Sequence, residues 1–371
     1  MSEIRVNNLS NEDSTSGPII SGITTFSSPY FFIPPVGNTA ERPDYPDKGA
    51  LRFNTDSKHL EYFKGDTIGW TEIEASNDEL NGGTRGVFMG GHNEPDPSSA
   101  YDIIDYITIS TLGNAIDFGN LTATEMEGNA FSSSTRGFHF GGDPADNEIE
   151  RITFASTGNA VDAGDLTATS KTGIGLANAT RGIAYLNNGD TINYYTMAAS
   201  GNAVDFGNAS FSGGANGMGC ASSTRGVYGG VFVSPAAVNT LDYITIATTG
   251  NASDFGDLTN LRYAGAGASN AVRGVFMGGY VSPTTNNTID YITIATLGNA
   301  TDFGDMATTT YLNSGCASST RMVSGGGYVS PTTINTIEYV EIMTTGNAVD
   351  FGDLTQKRRH LESCSNGHGG L

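Results

Sequence analysis

The chain repeats itself, and the repeat restricts its possible folds more than any other feature. An arginine recurs at Arg85, Arg136, Arg181, Arg225, Arg273 and Arg321, with steps of 51, 45, 44, 48 and 48 residues. A Gly-Asn pair recurs at Gly113, Gly158, Gly201, Gly250, Gly298 and Gly346, with steps of 45, 43, 49, 48 and 48. Two independent markers agree on six copies, and a period of this size belongs to solenoids, propellers and other arrays.

One copy reads as four short strands. They are "RGVFMGGY" (273–280), "TIDYITIAT" (288–296), "ATDFGDM" (300–306) and "YLNSGCAS" (311–318), separated by Ser-Pro-Thr-Thr, Leu-Gly-Asn and a Thr-rich link. Four strands per unit of about 40–50 residues is the arithmetic of a propeller blade. "DYITI" is apolar on both sides, as expected of a sheet covered on both faces. The expected fold is all-β, a six-bladed β-propeller with four strands per blade. Its C-terminal segment, "HLESCSNGHGGL", aligns with the fourth strand of the other copies, while the first copy starts directly at Thr84. The last strand is therefore expected beside the strand at Arg85, closing a ring that would otherwise leave two open edges.

Eighteen basic against 39 acidic residues give a formal charge of −21, which repels phosphate backbones and anionic lipid surfaces. Nucleic acid and membrane insertion are not expected. The start "MSEIRVNNLSNEDSTSG" is polar, so export by a standard signal is not expected either. The most apolar stretch, residues 17–37, is broken by Pro29, Pro34 and Pro35 and cannot form a spanning helix. It reads as an extended arm. Cys220, Cys316 and Cys364 occupy matching places in separate copies and are expected to be reduced, small, buried hydrophobes.

Three regions follow: an extended docking arm over 1–40, a small β-meander module over 41–80 and the propeller over 81–371. Ile19, Ile20, Ile23, Phe26, Tyr30, Phe31, Phe32 and Ile33 of the arm show no helical period. An arm this short cannot bury them by itself, so they must pack on the propeller or on another chain, and they are assigned to partner docking.

The Gly-Gly pair after a hydrophobic strand, with a Tyr downstream, resembles the kelch repeat over residues 81–371, without the downstream Trp of that family. The segment 49–73 resembles a small module of bacteriophage tail-fibre and other virion proteins through Gly49, Leu51, Arg52, Phe53, Asn54, Leu60, Glu61, Phe63, Gly65 and Trp70. Arm, module and Gly-, Thr- and Asn-rich repeat together resemble virion proteins of tailed phages, especially those infecting marine cyanobacteria. The resemblance implies a virion location after assembly in the host bacterial cytoplasm, contacts to other virion proteins through the arm, and an oligomeric state within the particle.

Six repeated arginines suggest the arginine cluster with which six-bladed sialidases hold a carboxylate. Asp117, Asp162, Asp205, Asp254, Asp302 and Asp350 recur as faithfully, so a structural Arg–Asp pair or a backbone-carbonyl clamp in every copy is the expectation. The sialidase Asp-box is absent. Function is expected where the repeat breaks. The longest deviation, residues 90–103, offers His92, Glu94 and Asp96, which could hold a cation or simply be solvated. Tyr280 and Tyr328 lie in loops beside Ser and Thr, a composition suited to sugar faces and to protein contacts alike. "KRRH" (357–360) is the one basic cluster. Arg262 aligns with Arg358, so an exposed strand face is expected there. No spacing indicates zinc, a Ser-His-Asp set or a phosphate loop, so neither cofactor, metal nor catalytic residues are assigned.

The leading expectation is a non-enzymatic virion structural protein, docked by its N-terminal region to a tail, neck or capsid, with the propeller displayed for host-surface or glycan binding. The alternatives are a purely architectural adaptor or decoration protein and a glycan hydrolase.

Overall fold

The computed structural model describes residues 34–56, 59–73, 84–93 and 100–371. The chain divides into two units, Met1–Asn77 and Asp78–Leu371. In the first, Leu51–Asn54, His59–Phe63 and Trp70–Ile73 form an antiparallel meander. Val36–Gly37, which the sequence assigns to the arm, adds in parallel to Leu51–Asn54. The buried Glu61 lies 2.5 Å from Arg42 and 3.4 Å from Arg52. The Arg42 hydrogen bond holds its carboxyl below the ordinary range. Trp70 packs on Phe63 with ring centroids 5.6 Å apart, and Arg52 approaches its face.

Among its described residues the second unit is all β, built on six four-stranded antiparallel sheets. The second to sixth sheets take their first strand from the segment just before a repeated arginine: Asn129–Ser132, Ile174–Ala177, Met218–Ala221, Ala266–Ser269 and Ser314–Ala317. Each continues through a strand starting at the arginine, a strand such as Thr288–Thr293, and an outer strand such as Thr301–Asp305. The first sheet takes its first strand from the other end of the chain. Glu362–Ser365 pairs with Arg85–Met89, placing Cys364 opposite Val87.

The copy as read from the sequence therefore straddles two sheets. The strand within 311–318, assigned to the copy that starts at Arg273, pairs with Arg321–Gly325 instead. The Thr-rich link carries the chain from the outer edge of one sheet to the first strand of the next. The six first strands touch one another in cyclic order, Glu362–Ser365 meeting both Ser314–Ala317 and Asn129–Ser132, and all six line a common cavity.

Packing repeats the same order. Among the described residues six hydrophobic clusters each join two consecutive sheets. One joins Phe351, Ile337 and Cys316 of the sixth sheet to Phe88, Ile107 and Ile109 of the first. Strands covered on both faces need apolar residues on both faces, and this accounts for "DYITI".

At the outer strands the Gly-Asn pair laces neighbours together. Gly346 N–H donates to the Phe303 carbonyl and Ala348 N–H to Asp305. The Asn347 side chain accepts from Asp305 N–H at 3.1 Å. The sixth and first sheets are laced identically through Gly113, Asn114 and Ala115. The lacing needs close approach: a Cβ on Gly304, whose φ is 149°, would overlap the Gly346 carbonyl. No helix among the described residues is long and apolar enough to cross a membrane.

Candidate functional site

The repeated arginines work between sheets. Arg225 Nη1 donates to the Ile294 carbonyl at 2.8 Å and Arg273 Nη1 to Ile342 at 3.3 Å. Arg321 crosses from the sixth sheet to Ile109 and Ser110 of the first. Arg85, Arg136 and Arg181 make the same reach. Five of the six also lie over a tyrosine of their own sheet, at 4.5–4.9 Å from the rings of Tyr106, Tyr194, Tyr243, Tyr291 and Tyr339. At Arg136 the tyrosine position is Arg151. Of the two pairings open to them, these arginines take the carbonyl clamp. Asp117, Asp162, Asp205, Asp254, Asp302 and Asp350 are all exposed on the outer strands, and none is bridged to a repeated arginine.

The aspartates that do pair with arginine sit elsewhere in the repeat. The third strands bury Asp105, Glu150, Asn193, Asp242, Asp290 and Glu338, each at most 4 % exposed. Each accepts from a Ser or Thr hydroxyl in or just after the outer strand of the preceding sheet, and from that residue's own amide or, at Glu338, from the amide of Ala307. Thr259 Oγ1 reaches Asp290 at 2.7 Å, Ser210 Oγ reaches Asp242 at 2.8 Å, and Thr355 Oγ1 reaches Asp105 at 2.8 Å. Arg262 joins Asp290 at 3.1 Å and Arg358 joins Asp105 at 2.8 Å, all four side chains fully buried. This corrects the expectation of an exposed strand face at residues 357–360, because the buried carboxylate draws in Arg358. Lys357 alone of that cluster is exposed.

The repeat breaks around one end of the central cavity. Glu127, Asn216, Ala264, Leu312 and His360 take left-handed backbone conformations there, with φ between 51° and 64°. They are chained by amide-to-carbonyl hydrogen bonds from Ala264 to Asn216, Leu312 to Ala264, His360 to Leu312 and Glu127 to His360. Just outside them, Tyr263 and Tyr311 pair through the backbone with Tyr280 and Tyr328 at the feet of two small hairpins. Phe232, Tyr263, Tyr280, Tyr311 and Tyr328 form a half-buried aromatic arc, with successive ring centroids 5.1, 5.7, 5.1 and 5.5 Å apart. The arc continues into Arg359, 4.5 Å from the Tyr328 ring, which donates through Nε to His92 Nε2 at 3.0 Å. His92 is buried, with its ring 5.2 Å from that of His360. Tyr280, Tyr328 and His92 thus meet, in company with Tyr263, Tyr311 and Arg359, which the sequence reading passed over. Glu94, Asp96 and the arm residues Ile19, Ile20, Ile23, Phe26, Tyr30, Phe31, Phe32 and Ile33 lie outside the described residues. Among the described residues no group of three or more His, Cys, Asp or Glu side chains is placed to hold a metal ion.

The other side of the cavity is ionic. Glu362 and His139 occupy positions held elsewhere by Met218 and Tyr228, or by Ala266 and Phe276. Oε1 of Glu362 lies 2.8 Å from His139 Nδ1, with both residues buried. Glu125 and Glu150 are buried nearby. Burial alone would push the His139 pKa down, but Glu362, Glu150 and Glu125 outweigh it and hold the imidazole at about 9. Burial, with Asp146 adding, pushes Glu125 up to about 7. Burial depresses His360 to about 3, and the neighbouring His92 and Arg359 add to the effect. Lys171 bridges Asp143 at 2.9 Å and Glu127 at 3.3 Å on the rim.

Chemically, the arrangement offers half-buried ring faces and tyrosine hydroxyls, while the acidic oxygens around His139 are buried. Cys220, Cys316 and Cys364 are free and buried away from it, and burial raises all three thiols, Cys364 to about 12. No protein-family model matches the chain, and no curated protein matches it.

Proposed function

We propose that the six sheets are the blades of a kelch-like six-bladed β-propeller, and that one face of it is a non-enzymatic carbohydrate-binding surface. The cyclic contacts of the first strands and the pairing of Glu362–Ser365 with Arg85–Met89 support the propeller. The aromatic arc carries the binding reading. Five half-buried rings in a continuous arc, two of them next in sequence to the cavity-lining Ala264 and Leu312, give stacking faces for the apolar sides of sugar rings, with tyrosine hydroxyls to orient them. In this reading the protein is a structural component of a tailed-phage virion, docked through residues 1–40 and displaying the propeller to the host surface. The resemblance of residues 49–73 to tail-fibre modules is what supports that setting. Isothermal titration of the full-length protein with host-envelope polysaccharide tests the reading. Saturable binding that falls at least tenfold in Tyr311→Ala and Tyr263→Ala supports it. Absence of binding favours the architectural adaptor.

A further inference from the structure

The aromatic arc is built on one backbone arrangement used four times. Ala215 with Phe232, Tyr263 with Tyr280, Tyr311 with Tyr328, and Arg359 with His92 are each joined as an isolated antiparallel bridge. In every pair both amides donate across the bridge. Tyr280 N–H reaches the Tyr263 carbonyl at 2.8 Å and Tyr328 N–H the Tyr311 carbonyl at 2.7 Å, and both return bonds measure 3.3 Å.

The two middle pairs carry a ring on each side, and they match. Their rings stand edge to face at 79° and 89°, with centroids 5.7 and 5.5 Å apart, and each ring is half-buried. Each pair sits at the foot of a hairpin closed in the same way, Thr284 Oγ1 donating to the Val281 carbonyl and Thr332 Oγ1 to the Val329 carbonyl, both at 3.2 Å. One ring's face thus stands in the same relation to its partner's edge twice over. A ligand that fits one pair meets the same surface again at the next sheet. The pattern changes beyond them: Ala215 leaves Phe232 without a partner ring at one end, and Arg359 with His92 replaces both rings at the other.

The space beside the arc decides how a sugar can lie on it. The cavity bordered by Ala264 and Leu312 has about 90 Å³ of free volume, well below the roughly 300 Å³ at which ligand pockets begin. A sugar ring does not fit into it end-on, so a ligand held by these rings lies along the arc.

We infer that the arc binds the interior of a linear, regularly repeating glycan, with the Tyr263–Tyr280 and Tyr311–Tyr328 pairs as two equivalent subsites. The inference rests on the carbohydrate-binding reading and adds that chain length and repetition are what is recognised. Calorimetric titration of the full-length protein with intact host-envelope polysaccharide, and with hydrolysis fragments of it two, four and six sugar residues long, tests it. The six-residue fragment should bind at least tenfold tighter than the two-residue fragment, because only the longer one engages both subsites. Tyr263→Ala and Tyr311→Ala should each weaken the six-residue fragment at least tenfold, to within about threefold of one another. Ala215→Tyr supplies the ring missing beside Phe232 and should tighten the six-residue fragment at least threefold. If the polysaccharide binds but affinity is independent of fragment length, or one tyrosine variant alone weakens binding, or Ala215→Tyr changes nothing, the inference is overturned while the carbohydrate-binding reading stands. If neither polysaccharide nor fragments bind, that reading fails and the inference with it.

Discussion

Arg358 Nη2 lies 2.8 Å from Asp105 Oδ2 with both side chains fully buried, which ties the segment after the sixth sheet to the third strand of the first. The same guanidinium donates to the carbonyls of Gly90, Ile103 and Phe88. Removing one partner leaves an uncompensated buried charge. Arg358→Ala or Asp105→Ala should each lower unfolding free energy by about 3–5 kcal/mol in urea titrations. Arg358→Met combined with Asp105→Leu should recover most of that loss, because a well-packed apolar pair replaces a buried ion pair at little cost.

The carbonyl clamps should be individually weaker and mutually independent. Five of the six combine a charged hydrogen bond with a cation–π contact at a partly exposed site, as at Arg225 with Ile294 and Tyr243. Arg225→Ala and Arg321→Ala are each expected to cost about 2 kcal/mol, and together about the sum, since they serve different interfaces. Denaturant midpoints of the two single variants and the double variant check this.

The two recurring glycines should differ in tolerance. Gly304→Ala places a Cβ on the Gly346 carbonyl and should cost about 3 kcal/mol or more. Gly298, with φ of 144° but nothing within 4 Å of an added Cβ, should lose only the backbone strain of about 1–2 kcal/mol as alanine. Thermal unfolding of both variants at one pH distinguishes them.

The ionic side of the cavity sets a pH optimum. Glu125 titrates at about 7 when folded against an ordinary 4.5, and His139 at about 9 against 6.5. In both cases the folded state binds the extra proton, so stability present below the ordinary value is lost as pH rises through the folded one. His360, depressed to about 3, acts oppositely, its contribution being lost as pH falls from 6.5 towards 3. The opposing contributions overlap between pH 4.5 and 6.5, and above 6.5 only the falling ones remain. Urea midpoints are expected to be level between about pH 4.5 and 6.5 and to decline from there towards pH 9. The double variant His139→Phe, Glu362→Met should flatten the decline between pH 7 and 9.

Much of this architecture was legible in the sequence because a repeat averages out local ambiguity. Six arginines and six Gly-Asn pairs reported the number of sheets, and the surplus strand at residues 362–365 announced its partner at Arg85. The phase of the repeat was not legible, since pattern alone does not say whether residues 314–317 pair with the strands before or after them. The buried acids at Asp105, Asp242 and Asp290 were hidden within "DYITI", where a carboxylate beside a tyrosine reads as solvent-facing. Its recurrence as Asp, Glu or Asn in all six copies was the available signal. His139 and Glu362 were visible only as departures, "RGFHF" against "RGVFM" and "HLESCS" against "YLNSGCAS". A single polar substitution within an apolar repeat position marks a buried site only once the register between sheets is known.

Hydrogen exchange of Arg85–Met89 tests the proposed ring closure most directly, measured in the full-length protein and after deletion of residues 362–371. The account predicts that the amides of Val87 and Phe88 are protected as strongly as those of Val227 and Tyr228 in the full chain, and that this protection collapses on deletion. Edge-like, rapid exchange at Val87 and Phe88 in the intact protein, or protection unchanged by the deletion, would contradict it.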